Sequence, residues 1–278
     1  MKIIRMIMLL FVGAAISITY SCEKDATDNP DSGGSDKPAE KKCYIKTTNL
    51  PNAEKKVYEY NSDNNLIKLT KYYSNGNVDY VASFDYLNGK VIEYSSSKQN
   101  GTASVRMEYS YNANKELEKA KIFYNSGSGM KEVAYYEYTY VEGLLAQLSH
   151  YKLDQGSSYE LIRSEYFYNG DLVSKCKKYR YNGSSQVMDL ESVEDYEYDG
   201  KKNPSHDIGV NDILGGYANM NKENLVKLTI STPQGIVDKN TSINITYEYN
   251  DNDYPIKQTN LNFYNKDEEK FTYEYDCK

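Results

Sequence analysis

From residue 43 onward the chain consists largely of short runs in which apolar and polar side chains alternate. One run carries its apolar residues at Val105, Met107, Tyr109 and Tyr111 with polar residues between them, and 243–249 repeats the pattern. A period of two with one apolar face is typical of a half-buried antiparallel strand. The alternation therefore predicts an all-β protein.

The runs belong to a recurring phrase: Tyr-x-Tyr, a polar turn, then Asn-Leu-x-Lys. The clearest copy is YEYNSDNNLIKLT at 58–70, and YANMNKENLVKLT at 217–229 aligns with it, with Asn219 in the place of Tyr60. Counting Asn219, the phrase has nine copies, an array signature. The second aromatic residues of the other copies are Tyr60, Tyr86, Tyr111, Tyr140, Tyr168, Tyr198, Tyr249 and Tyr275.

Gly-containing turns separate the runs, and most of them contain Asn-Gly, the strongest short signal for a β-hairpin. They lie at 74–77, 87–90, 126–129, 168–171 and 181–184. The prediction is an antiparallel meander of about 16 strands in nine hairpin repeats. An open sheet of that size curls or splits, so we expect it to close into a barrel-like shell or to flatten into two facing layers. A round barrel of this width would be too broad for side chains to fill and would hold water.

One segment, 202–216, interrupts this rhythm and is predicted to be a loop with a helical turn. Charges stand on both faces of the predicted strand 115–124. Each lysine facing mid-bilayer lipid costs about 2–4 kcal/mol, so the barrel is predicted to be water-soluble.

The first residues have the architecture of a secretory signal peptide: Lys2 and Arg5, then an apolar run at 6–18. This run is shorter than the ~20 residues that cross a bilayer. The following ITYSC resembles the lipobox of bacterial lipoproteins, which implies a signal peptide at 1–21 and acylation of Cys22. The alternative is an ordinary signal peptide after which Cys22 forms a disulfide.

Residues 22–42 hold no Val, Ile, Leu or aromatic side chain and are predicted to be a disordered tether. Twenty such residues have a root-mean-square reach of about 25 Å. The stretch Glu23-Lys24-Asp25 resembles the export signal of surface lipoproteins in Bacteroidota. It favours the cell-surface side of the outer membrane, with the periplasmic side as the alternative, and leaves 43–278 as the folded domain.

The composition is unusual in its aromatic residues: 31 Tyr, 6 Phe and no Trp. The core must therefore use rings that carry a hydroxyl, which suits a face that is only partly dry. The formal net charge is −7. That sign argues against a nucleic-acid partner, which requires clustered Lys and Arg.

With Cys22 acylated, three thiols remain. Cys43 opens the folded region and Cys277 is the penultimate residue, so a bond between them would join the two ends of the domain. The alternative is that both, like Cys176, are reduced and partly buried, since spacing does not determine connectivity.

Several phrases together resemble a known family: YEYDGKKNPSHDI at 196–208, NLVKLT at 224–229, YEYNDNDYPIKQT at 247–259 and the closing YEYDCK. They are similar to a tyrosine-rich domain of unknown function from secreted Bacteroidota lipoproteins, and to the Tyr-Asp repeat proteins. The resemblance implies a porin-like fold and an outer-membrane address. It implies no catalytic residues.

The residues themselves offer little chemistry. His150 and His206 are the only histidines, and the spacings of a zinc site, a nucleophile elbow and a phosphate loop are absent from the sequence. No metal, cofactor or catalytic residue is predicted. The glutamates at the centre of the Tyr-x-Tyr phrases are expected on a solvated outer face: Glu59, Glu108, Glu197, Glu248 and Glu274.

The leading functional hypothesis is a non-catalytic, membrane-anchored lipoprotein whose Tyr-lined shell binds a ligand or serves as a structural module at the surface. Rings flanked by Asn, Asp and Glu resemble sugar-stacking surfaces, so a glycan is the first ligand to test. One alternative is a surface glycoside hydrolase or similar enzyme, with two carboxylates converging in a cleft. Another is an accessory lipoprotein of an outer-membrane transporter.

Overall fold

Each strand of the protein pairs antiparallel with its neighbours in the chain, and the last strand pairs with the first. The computed structural model describes residues 41–98, 103–154, 156–206 and 221–278. The strands are β1 (Cys43–Asn49), β2 (Lys55–Tyr60), β3 (Leu66–Tyr72), β4 (Val78–Leu87), β5 (Lys90–Lys98), β6 (Ala103–Tyr111), β7 (Leu117–Asn125), β8 (Met130–Val141), β9 (Leu144–Asp154), β10 (Ser157–Asn169), β11 (Leu172–Asn182), β12 (Val187–Lys202), β13 (Glu223–Ser231), β14 (Ile243–Tyr249), β15 (Pro255–Asn262) and β16 (Glu268–Cys277).

The predicted all-β fold of about 16 strands is confirmed, and the sheet closes into a barrel. At the seam β1 pairs with β16, Cys43 stands opposite Cys277, and a disulfide joins them. The backbones of Lys42 and Lys278 extend the seam with two hydrogen bonds, of 3.2 and 3.0 Å. A closed barrel leaves no unpaired edge strand.

Each hairpin formed by an even-numbered strand and the strand that follows it carries a β-bulge near the start of its second strand. In the first hairpin Glu59 pairs with Lys68 and Tyr60 pairs with Leu66, so Ile67 has no partner. Without the extra residue Leu66 and Lys68 would share a face, because side chains alternate along a strand. The bulge turns Leu66 inward and Lys68 outward. The bulge therefore explains how the Leu and Lys of Asn-Leu-x-Lys face opposite sides of the sheet although they are two residues apart.

Two sequence solutions for a tight turn occur before these bulges. In the first solution Asn61 Oδ1 accepts hydrogen bonds from the backbone N–H groups of Asp63 and Asn65, and Asn64 adopts a φ of 62°. In the second, Asn88 and Gly89 adopt φ values of 52° and 75°, the two-residue turn that Asn-Gly favours. The other predicted Asn-Gly pairs, at 74–77, 168–171 and 181–184, do not place both residues at positive φ.

The number of repeats differs from the nine counted in the sequence. Each even-numbered strand carries one Tyr-x-Tyr-like phrase, which makes eight in the closed barrel. Leu225, which the sequence pattern assigns to a ninth copy, pairs with Tyr198 near the end of β12. It therefore belongs to the same hairpin as Tyr198. A long connection separates the two halves of that hairpin, and Asn219 lies in it, outside the described residues. The predicted helical turn at 202–216 also falls largely outside them.

The buried face of the sheet is the inner face of the barrel, since it carries one cluster drawn from strands around the whole barrel. Aliphatic members sit next to the bulges, as at Leu66, Val91 and Val173, and rings such as Tyr166 and Tyr196 follow them. The expected Tyr-rich core is present, with leucines and valines filling the gaps between rings. These side chains line the half of the barrel that contains the bulges.

A belt of tyrosine hydroxyls runs around the barrel at the level of the bulges. Burial raises the pKa of Tyr86 to about 12, so its hydroxyl is a protonated donor at neutral pH. Each belt hydroxyl donates to a backbone carbonyl of the preceding strand. The pairs are Tyr60 to Ile45, Tyr86 to Leu66, Tyr111 to Val91, Tyr168 to Leu145, Tyr198 to Val173, Tyr247 to Leu225 and Tyr275 to Pro255.

The belt and the disulfide lie at the same end of the barrel, which we call the belt end. Even-numbered strands finish there, β1 begins there and β16 ends there. The opposite end, formed by turns such as 73–77 and by the 232–242 connection, is called the chamber end.

The outer face is charged. Glu59 and Lys68 stand directly opposite each other and form an ion pair of 2.8 Å, and Glu197 with Lys227 repeats the arrangement at 2.6 Å. At Glu59, Glu197 and Glu248 the outward position predicted for the phrase glutamates thus has a cross-strand lysine as its partner. In the described part of the chain no helix is long and apolar enough to cross a membrane.

Candidate ligand chamber

A cavity of about 550 Å³ opens inside the barrel at the chamber end, against β8 to β13. We call it the chamber. Its lining comprises Tyr136, Leu148, His150, Ile162, Ser164, Lys178, Arg180, Glu191, Ser192, Glu194, Ile230, Ser231, Thr232, Asp238 and Thr241. Most of these residues are polar, whereas the belt half of the same inner face is largely apolar and aromatic.

The change from apolar to polar follows the alternation along each strand. Along β11 from the core toward the chamber end, the inward-facing residues are Cys176, Lys178 and Arg180. Their pairing with inward-facing residues of β10 shows this. Across from Cys176 and Lys178, β12 presents Glu194 and Ser192. Lys178 and Glu194 thus lie diagonally across two neighbouring strands and bring charges of opposite sign into the lumen.

The innermost charged group of the chamber is Glu194, whose side chain is only 8% exposed. Lys178 Nζ lies 2.6 Å from Glu194 Oε1, and the Tyr196 hydroxyl donates to Oε2 of the same carboxylate. Burial, followed by the charge of Glu194, raises the pKa of Tyr196. A buried carboxylate with a cation and a hydroxyl as partners is a satisfied group, and it gives the floor of the chamber a fixed shape.

A second pair stands nearer the mouth. Arg180 Nε lies 2.6 Å from Glu191 Oε1, with side-chain exposures of 50% and 40%. Glu191 is the residue skipped in the pairing of β12 with β11, between Lys178 opposite Ser192 and Tyr179 opposite Leu190. These exposed groups have donor and acceptor capacity left for a ligand.

An aromatic wall faces these charges. The rings of Tyr136 and His150 lie 4.7 Å apart between centroids, and the two residues are directly paired on β8 and β9. Burial lowers the pKa of His150, which favours the neutral imidazole. One wall of the chamber therefore offers ring faces without a formal charge.

Cys176 closes the floor beside Glu194. It is a free, fully buried thiol. Burial, followed by the charge of Glu194, raises the pKa of Cys176 to about 12, so the thiol stays protonated at neutral pH. A protonated buried thiol is a packing group and a poor nucleophile.

The chamber lacks the donor geometry of a metal centre. Within the described ranges no three His, Cys, Asp or Glu side chains are grouped so as to hold a metal ion. Glu194 and Glu191 are instead paired with Lys178 and Arg180, and the carboxylate of Asp238 accepts hydrogen bonds from Asn240 N–H and the Thr241 hydroxyl.

The belt end contains a second, smaller cavity, of about 380 Å³, next to the seam. Its walls include Tyr60 and Tyr275, whose hydroxyls are already engaged with the carbonyls of Ile45 and Pro255. The chamber is the stronger candidate because it is the larger of these two cavities and holds a buried ion pair, Lys178 with Glu194.

The residues singled out in the sequence lie elsewhere. Cys43 and Cys277 form the seam disulfide at the belt end, and Cys22 lies outside the described residues. His206 is exposed next to the end of β12 at the belt end, whereas His150 lines the chamber. Glu59 and its equivalents face outward, with side-chain exposure of 49% for Glu59.

Sequence reasoning missed the chamber. A usable signal was present: Lys178 occupies an inward position on a strand whose neighbouring lysines, Lys175 and Lys177, face outward. Glu194 likewise stands two residues before the inward ring of Tyr196. Inward charges of opposite sign that meet diagonally on neighbouring strands mark a polar lumen, but they can be recognised only once the strand register is known.

Comparison with known families matches one short part of the chain. Residues 53–96 match a protein family of unknown function, DUF2963. This stretch holds β2 to β4 and most of β5, which is about two hairpins of the barrel. No curated protein sequence matches the chain.

Solved structures resemble the whole barrel. A porin-like protein from Bacteroides vulgatus aligns with a TM-score of 0.56 at 12% identity, covering 84% of this chain and 99% of that one. A porin-like protein from Bacteroides uniformis aligns with a TM-score of 0.50 at 12% identity, covering 84% and 96%. At this identity the likeness concerns the fold, and it agrees with the porin-like architecture that the Tyr-rich phrases imply.

Proposed function

We propose that this protein is a lipid-anchored lipoprotein of the outer membrane, displayed at the cell surface, whose barrel binds a ligand in the chamber without transforming it. The observation that carries the proposal is the chamber itself: a cavity lined mostly by polar and charged residues at one end of a barrel whose other half carries the apolar and aromatic cluster. A purely structural barrel has no need of inward charges such as Glu194, which are costly to bury.

A glycan is the class of ligand that best fits the lining. Sugars present hydroxyls that both donate and accept hydrogen bonds, and one apolar face that packs on aromatic rings. The chamber offers both kinds of partner in Arg180 and Glu191, and a ring surface in Tyr136 with His150. The belt tyrosines are excluded from this role because their hydroxyls bond the barrel backbone.

The address is supported by the sequence before residue 43 and by the outer wall. Cys22 follows a signal peptide and precedes a polar tether. Pairs such as Lys68 with Glu59 and Lys257 with Glu248 would face hydrocarbon if the barrel spanned the bilayer, at about 2–4 kcal/mol per mid-bilayer lysine. A barrel in water beside the membrane, held by Cys22, avoids this cost.

A surface glycoside hydrolase is the second candidate, since Glu191 and Glu194 line one cavity. Glycosidases need one carboxylic acid that is protonated and one that is ionised. Both chamber glutamates are instead already engaged in ion pairs, Glu191 with Arg180 and Glu194 with Lys178. This arrangement favours binding over acid catalysis.

The test is gel retardation of the detergent-solubilised mature protein in a panel of neutral and acidic polysaccharides, followed by calorimetry. We expect retardation by at least one polysaccharide. The Glu191→Gln variant is expected to weaken that binding about tenfold, the equivalent of 1.4 kcal/mol. Glu197→Gln is the matched control, because Glu197 also lies on β12 and pairs with a cation at 2.6 Å but faces outward.

Equal loss in both variants, or no retardation by any polysaccharide, would remove the glycan from consideration. Release of reducing ends during the incubation would shift the assignment to the enzyme. The transporter-accessory alternative predicts co-purification of the mature protein with a membrane protein from detergent extracts.

A further inference from the structure

Six large apolar side chains remain exposed around the belt end, and we call them the apolar rim. They are Ile67 (38% exposed), Leu87 (59%), Ile92 (38%), Val141 (59%), Phe167 (42%) and Ile256 (41%). Exposed apolar side chains gathered at one level of a surface mark a contact with a protein or a membrane.

The position of the rim follows from the hairpin geometry. Ile67, Ile92 and Ile256 are the unpaired residues of three β-bulges, next to inward-facing Leu66, Val91 and Pro255. A bulge re-aims a side chain at the rim of a barrel, and here it turns an isoleucine outward.

The other three members also stand at this level. Leu87 and Val141 come directly before two-residue turns at the belt end, and Phe167 comes directly before Tyr168 of the belt. Three of the remaining bulges carry a polar or small residue, namely Glu118, Ala146 and Ser174. The rim therefore occupies an arc from β15 through the seam to β10.

The chain enters the barrel within this arc. Cys43 is the first residue of β1 and is bonded to Cys277 at the seam, next to β15 on one side and close to β3 on the other. Residues 23–42 separate Cys43 from Cys22, and the tether predicted from their composition would reach about 25 Å. The nine residues of β5 alone extend roughly 30 Å. A tether of this length holds the belt end nearer to the anchor than the chamber end.

From this geometry we propose that the apolar rim rests on the lipid surface in which acylated Cys22 is anchored. The barrel then stands on its belt end, and the chamber opens away from the membrane toward its ligand. This inference rests on the lipid anchoring given under Proposed function. The rim supplies a second contact of the kind that interfacial segments make when their apolar side chains sink into the headgroup boundary.

The chamber end provides an internal comparison, because it too has exposed apolar side chains. They are Tyr73 (44% exposed), Tyr124 (51%), Val187 (51%), Ile236 (67%), Val237 (38%) and Tyr264 (70%), as many as the apolar rim has. Exposure alone therefore does not decide which end meets the lipid. The entry point of the chain decides it, and a comparison of the two ends tests that argument directly.

The experiment uses the absence of tryptophan from the sequence. Three single-tryptophan variants of the lipidated protein, Leu87→Trp, Val141→Trp and Ile236→Trp, are reconstituted into phosphatidylcholine vesicles with brominated acyl chains. Bromine quenches tryptophan fluorescence only at close range. We expect at least about a twofold loss for the two rim variants, since interfacial side chains lie ~5–10 Å into the boundary, and no loss for Ile236→Trp.

Flotation with the vesicles distinguishes failure of the lipid anchor from failure of the rim contact. If the lipidated protein fails to float, the lipid anchor itself is refuted. If it floats and neither rim variant is quenched, or if Ile236→Trp is quenched instead, the anchor stands and the rim proposal is refuted. Unchanged thermal unfolding of the three variants excludes misfolding as the cause, and two rim positions guard against a local effect of either substitution.

Discussion

The hydroxyl of Tyr86 donates a 2.8 Å hydrogen bond to the carbonyl oxygen of Leu66 on the adjacent strand. Leu66 begins the second strand of one hairpin, and Tyr86 lies near the end of the first strand of the next. The bond therefore joins consecutive repeats rather than the two strands of one repeat. Since the same relation recurs from Tyr60 to Tyr275, the hydroxyls connect the repeats around the barrel.

Removal of one belt hydroxyl tests this role. Tyr86→Phe keeps the ring and leaves the carbonyl oxygen of Leu66 without its donor. We expect the free energy of unfolding to fall by about 1–3 kcal/mol, the cost of an unsatisfied buried acceptor. Urea unfolding followed by circular dichroism measures it. Tyr264→Phe is the control, because Tyr264 is 70% exposed at a turn. Equal midpoints for the two variants would contradict the belt.

The ion pair on the chamber floor gives a second prediction. Lys178→Ala leaves the carboxylate of Glu194 buried without its cation. Loss of one partner of a buried pair costs about 3–5 kcal/mol, and we expect the lower end because the Lys178 side chain is 34% exposed. Lys227→Ala removes an exposed pair with Glu197 and is expected to cost at most about 1 kcal/mol. Urea midpoints compare the two, and similar losses would show that Glu194 has no need of its cation.

A third prediction concerns pH. Burial lowers the pKa of His150 below its ordinary value of 6.5, so between the two values the unfolded chain binds more protons than the folded protein. The contribution of neutral, buried His150 to the free energy of unfolding is therefore fully present above about pH 6.5. It is lost as the pH falls toward the pKa of the folded state.

The His150→Gln variant isolates this contribution. From about pH 7.5 to about pH 5.5, on either side of the ordinary histidine pKa, wild type is expected to lose more unfolding free energy than the variant. Parallel urea titrations at the two pH values measure the difference. An identical pH response in both proteins would show that His150 is solvated in solution.

The seam disulfide gives a fourth prediction. The double variant Cys43→Ser and Cys277→Ser opens the covalent link between β1 and β16 while the strand pairing remains available. We expect a loss of about 3–5 kcal/mol, since the link closes a loop of almost the whole domain. Reductant should lower the urea midpoint of wild type and leave that of the double variant unchanged. Insensitivity of wild type to reductant would contradict the prediction.

Much of the barrel was predictable because its signals are local. The alternation at 105–111 identifies a strand and its two faces, and the phrase at 58–70 identifies a hairpin and its turn. The bulge at Ile67 was not anticipated, although Leu66 and Lys68 cannot otherwise face opposite sides. The split repeat was also miscounted, because sequence similarity alone does not show that Leu225 pairs with Tyr198.

The sequence by itself determined the strands, their inward and outward faces and the eight tyrosine phrases, because side-chain alternation and turn chemistry act over a few residues. Only the tertiary structure decided the closure of β1 on β16, the carbonyl that each belt hydroxyl reaches, and the meeting of Lys178 with Glu194 inside the lumen. These depend on strand number and register. Both are properties of the whole sheet, since each pairing constrains the next until the ring is complete.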